Sequence, residues 1–158
     1  MLCGDYVTAS ACINDLIALA DEQGALSLKI RGMSLQGYLF SLTGEASKAV
    51  QVMTSTIPIW QSTGSTVFIP LALLYLARAY RELGQTDEAW RCVGEAITAV
   101  EATKERWFEA GIYHAAGEIA LASHERDAAK AEAYFECAPA GEVSRAPRCN
   151  EHGAALAR

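Results

Sequence analysis

His114 and Glu118 stand one helical turn apart, a spacing that presents an imidazole and a carboxylate side by side as two ligands of a metal ion would be. Zinc needs three or four such ligands, and His124 and His152 have no arranged companions, so the pair reads as a surface or groove pair. Gly64-Ser65-Thr66 joins a glycine to hydroxyls but lacks the lysine of a phosphate-cradling loop, and a helix-capping turn accounts for it better. No serine lies in a nucleophile-elbow context. Trp60 and Trp107 offer stacking platforms, but as large residues they are expected to be wedged between helical hairpins. Arg78 and Arg81 can form charge-assisted hydrogen bonds with a carboxylate or phosphate, or can simply solvate an exposed helix face together with Glu82. The chain is therefore expected to be no enzyme, with no catalytic residue, no metal and no cofactor.

The elements that position these residues are helices. The 158 residues are 51% hydrophobic, which supplies a core for one domain, and 4 prolines and 12 glycines leave room for long helices. Net charge is −6, so general nucleic-acid binding is not expected. The longest apolar runs, such as Ile69 to Leu76, fall far short of the ~20 residues that span a bilayer, so no membrane partner is expected. The first five residues lack the basic start and apolar block of a signal peptide. Five cysteines (Cys3, Cys12, Cys92, Cys137, Cys149) form no CxxC pair and read as reduced thiols of a cytoplasmic protein.

Apolar spacing predicts a lone helix over 6–22, closed at Gly24 by a left-handed cap, then hairpins at about 27–57, 66–103 and 105–138. Pro58 closes the first hairpin, with 60–64 as the turn after it; Ser65 or Thr66 caps the next helix, and Thr86-Asp87 caps its return. No segment alternates with period two, so no strands are predicted. Gly37, Ala77 and Gly117 recur at intervals of forty in the first helices, as Ala49 and Ala89 do in the second, with Ala131 forty-two beyond. Small residues at one period mark stacked helix pairs, because helices approach closely only where side chains are short.

The run from Tyr75 to Ala89 resembles the tetratricopeptide repeat. The resemblance puts Ala77 at the small position of the first helix, Tyr80 at the plug, Gly84 at the turn, and Ala89 and Ala96 at the small positions of the second helix. Gly37, Phe40, Gly44 and Ala49 fit the same scheme in the first hairpin, and Gly117, Ala131, Phe135 and Ala138 in the third, where Ala120 replaces the plug. The spacing departs from the basic repeat of ~34 residues and no proline follows Ala96, both consistent with longer helices. What the resemblance implies is an all-α, right-handed α-solenoid of about three hairpins plus a preceding helix.

Residues 60–64, 71–84 and 105–110 with Gly117-Glu118 also look like the C-terminal repeat region of large bacterial regulators. Those carry a class III adenylate/guanylate cyclase or DNA-binding domain, then a predicted ATPase module, then helical repeats. Neither cyclase nor nucleotide-binding motifs are present, so the resemblance implies only the scaffold or sensor end. It also implies a peptide groove along the first helices: Ser34, Tyr38 and Ser41, then Leu74, Arg78 and Arg81, then His114 and Glu118. The expected function is non-catalytic binding of a protein or peptide, or contact with sister cyclase or ATPase domains; the alternative is an anionic metabolite held in the same groove.

From Pro139 the helical pattern fails, and 139–158 reads as an irregular tail. Codons able to encode 141–158 can, read one nucleotide later, encode AKSRELRAAMSMARLWR, an apolar-periodic helix. A frame-shifting deletion is the expectation, with the chain a fragment of a longer array whose uncapped ends favour self-association.

Overall fold

The described residues fold as seven helices: α1 (Tyr6–Glu22), α2 (Leu26–Leu42), α3 (Ala46–Ser62), α4 (Ile69–Glu82), α5 (Thr86–Thr103), α6 (Glu109–Ala122) and α7 (Ala128–Cys137). The computed structural model describes residues 5–64, 66–104, 106–123 and 127–138; the expected tail and Ser65 lie outside them. Among the described residues there is no strand, and no helix is long and apolar enough to cross a membrane.

Two helices start on a side-chain acceptor. Asp5 accepts from the amide of Thr8 at 3.0 Å and Asp127 from that of Lys130 at 2.8 Å, each satisfying a first-turn amide that has no partner inside the helix. The ends follow a stricter rule. Gly24, Gly44, Gly64, Gly84 and Lys104 all have positive φ, and each follows its predecessor by twenty residues. At three of these turns the next amide, of Ala25, Glu45 or Gln85, reaches back to the carbonyl of Ala20, Phe40 or Tyr80 at 2.8 to 2.9 Å. This closes the helix with the six-to-one bond of a left-handed cap, which glycine adopts without a Cβ penalty. Lys104 adopts it with one.

Several helix ends differ from the sequence expectation. α3 does not stop at Pro58 but runs through it to Ser62. Pro58 and Thr54, whose carbonyl loses its helical partner to the proline, are both exposed residues, and the extra turn carries Trp60 into the core. Neither Thr66 nor Thr86-Asp87 caps a helix: Phe68 and Gln85 hold those positions without a side-chain bond, and Thr86 and Asp87 lie inside α5. α6 begins only at Glu109, and Trp107, expected between hairpins, is 84% exposed in the preceding turn. Ala138 caps α7 instead of continuing it. Of the described cysteines, Cys12 and Cys92 are free, but Cys137 is disulfide-bonded, against the expectation of reduced thiols.

Helices adjacent in sequence pack together throughout, and the even-numbered ones also pack on one another, α2 on α4 and α4 on α6. No pair of odd-numbered helices is joined to a comparable extent. Small residues make this possible: Ala49, Ala77, Ala89 and Ala96 are fully buried, and Ala131 nearly so. The glycines work differently from the expected small-on-small pairing. The space beside Gly37 belongs to Met53, not Ala49, with Met53 Cγ 2.8 Å from where a Cβ would stand. Gly117 is covered by the Phe135 ring, 2.5 Å from its own absent Cβ. Each glycine thus meets a large residue one turn beyond the alanine it was paired with.

Candidate functional site

α2, α4 and α6 bring the expected groove residues into one row, but at very different depths. On α2, Ser34 is buried: its hydroxyl donates to the Ile30 carbonyl at 3.0 Å and accepts the indole N–H of Trp60 at 2.9 Å. Ser41 is also buried, donating to the Tyr75 carbonyl at 3.3 Å across the α2–α4 seam. Leu74 is buried in the core and packs against the Cα side of Gly111. These three position the helices and do not line an open surface, which corrects the groove assignment for each of them.

On α6 the pair His114 and Glu118 is committed to neighbours. Arg81 Nη1 donates to Glu118 Oε2 at 2.8 Å, and His114 Nδ1 stands 3.8 Å from the other carboxylate oxygen. The imidazole packs against the Phe135 ring, centroids 5.3 Å apart and the planes tilted by 58°. No cluster of three or more metal-ligating side chains occurs among the described residues. Arg81 and Glu118 tie α4 to α6, so Arg81 is not the free cation that the sequence suggested.

Tyr38 is as buried as Ser34, Ser41 and Leu74, which corrects its groove assignment too, and Arg78 remains partly exposed. Tyr38 is 4% exposed and stacks on Tyr75 of α4, ring centroids 4.9 Å apart and 25° from parallel. Burial pushes its phenol well above the usual tyrosine range, Tyr75 adds to the shift and Arg31 opposes it, so the hydroxyl keeps its proton. That hydroxyl has no hydrogen-bond partner. The Arg78 guanidinium lies 5.8 Å from the Tyr75 centroid, its Nε buried and without an acceptor. Tyr75 organises both groups, and sequence reasoning missed it. The residues forty before and after it are Leu35 and Ala115, so no repeat position marks it.

No family model, curated protein or solved structure matches this chain.

Proposed function

We propose that the chain is a non-catalytic binding or scaffold module: a tetratricopeptide-like, right-handed solenoid that holds a protein or peptide, or contacts sister cyclase or ATPase domains of a bacterial cytoplasmic regulator. The observation that supports this is the continuous row of α2, α4 and α6, each backed by a partner helix and joined by turns at a constant interval. Such a row offers an extended surface that a chain segment can follow, which is how stacked helix pairs bind. Arg78 and His114, the partly exposed and exposed polar groups of that row, suit recognition of a polar or acidic segment.

Selection of displayed random peptides on the folded chain tests the reading. Enriched peptides should lose binding when charge is reversed or added on the even row (Arg78→Glu, His114→Glu) and keep it when Arg91 on α5 becomes Glu. No enrichment, or dependence on Arg91 alone, would sink the proposal.

A further inference from the structure

The forty-residue interval lets α1 be compared with α3 and α5 position by position. Ala9, Cys12 and Leu16 correspond to Ala49, Val52 and Thr56 of α3 and to Ala89, Cys92 and Ala96 of α5. In those two helices the positions are covered: Ala49, Thr56, Ala89, Cys92 and Ala96 are wholly buried. The cover comes from the even-numbered helix before each. Val52 Cγ1 lies 3.5 Å from the Cβ position of Gly37 on α2. Burial first, and Cys92 next, raise the phenol of Tyr80 on α4. Among the described residues no helix stands before α1, which packs on α2, the helix that follows it. Cys12 is accordingly exposed, Ala9 and Leu16 are half-buried, and Leu19 is 57% exposed. Spacings of three and four residues put these four on one stripe of the helix, beside buried Ile13 and Ala20. Asp15 and Glu22, exposed and in no ion pair of the described residues, border the far side of the stripe.

We propose that this stripe of α1 is a docking site for a helix of another polypeptide, apolar on one face, with a small residue at its centre and a net positive charge. The occupant is argued from what covers the same positions inside the chain. α4, which packs on α5, carries Ala77 at its centre and two arginines, Arg78 and Arg81, against one acid, Glu82. A small central residue lets two helices close on each other, and positive charge complements Asp15 and Glu22 on a chain of net charge −6. The stripe is separate from the even-numbered row, so this site and the binding reading above fail independently.

The test titrates a fluorescently labelled synthetic peptide of residues 69–82 into the full chain, with anisotropy and cysteine alkylation read together. The peptide should bind saturably and protect Cys12 from alkylation. Cys12→Glu sets a charge in the middle of the stripe and should weaken binding about tenfold, as should Ala77→Leu in the peptide. Val7→Glu, on the opposite face of α1, should leave binding unchanged. Asp15→Lys with Glu22→Lys should weaken it a few-fold. No saturable binding, binding that leaves Cys12 reactive, or binding that survives Cys12→Glu overturns the site. Alkylation of Cys92 on peptide binding would mean that the peptide displaces α4 instead, and also overturns it. Protection of Cys12 that grows with chain concentration in the absence of peptide would make a second copy the occupant and refute the proposed one.

Discussion

Met53 occupies the space that a side chain on Gly37 would need: its Cγ lies 2.8 Å from the Cβ position, and Met53 is wholly buried. Gly117 is approached still more closely by Phe135, but that ring is 36% exposed where Met53 is wholly buried, so it has more room to give. Alanine should therefore be tolerated unequally. A helical Gly→Ala change gains about 1 kcal/mol in propensity, whereas overpacking costs about 1–3 kcal/mol. Gly37→Ala should lower the melting temperature, and Gly117→Ala should leave it nearly unchanged. The reverse order in paired melts would show that burial of the covering residue does not decide the cost.

Ala89 is fully buried where α5 packs on α4. Ala89→Leu should overpack that contact and destabilise by about 1–3 kcal/mol. Chemical denaturation should show a lower midpoint at unchanged slope. A midpoint matching the parent chain would mean that the repeat registration is wrong.

The indole N–H of Trp60 has one acceptor, the Ser34 hydroxyl. Ser34→Ala leaves that donor buried and unpaired, at about 1–3 kcal/mol. The same change removes a single oxygen, so a loss well below 1 kcal/mol would mean that water reaches the indole.

Lys104 is the one described non-glycine residue with positive φ, at 60°, and its side chain is exposed. Left-handed backbone costs an L-residue about 1–2 kcal/mol, while glycine loses part of that advantage through its freer unfolded state. Lys104→Gly should raise stability, by up to about 1 kcal/mol. A lower melting temperature would show the lysine side chain to be needed at that turn.

Burial pushes the Cys92 thiol up to about 12, and burial likewise raises the phenols of Tyr38, Tyr80, Tyr113 and Tyr134. A folded-state pKa above the unfolded value favours the folded state fully while both forms are protonated. For Cys92 that contribution is intact below pH 9, its ordinary value, and falls away as pH rises from there towards 12. Stability should decline across that alkaline window. Below it, alkylation followed by peptide mapping should label exposed Cys12 and spare Cys92 until the chain unfolds. Equal labelling of the two in the folded protein would contradict the burial.

Helix number and most helix starts were legible because apolar spacing reports directly which residues face inward. α1 was read to the residue from its apolar spacing, with Gly24 in the left-handed turn expected after it. Pro58 misled because the penalty of an interior proline was offset here by tertiary packing: the turn beyond it buries Trp60. Depth was the harder quantity. Position on the inner face placed Ser34, Ser41 and Leu74 beside Arg78, but whether a side chain reaches the surface depends on what stacks over it. Trp60 and Tyr75, which cover those seams, come from other helices. The small residues were found, yet their partners were not, because the compensating bulk of Met53 and Phe135 sits one turn beyond the repeating alanines.

The turns at Gly24, Gly44, Gly64 and Gly84 have a consequence for length. Excising residues 45–84 would bring Gly44 directly before Gln85, joining one six-to-one closure to the start of another helix with every remaining turn unchanged. As far as its corners are concerned, the molecule can be shortened or extended in steps of two helices, like a folding rule that loses a segment and still shuts.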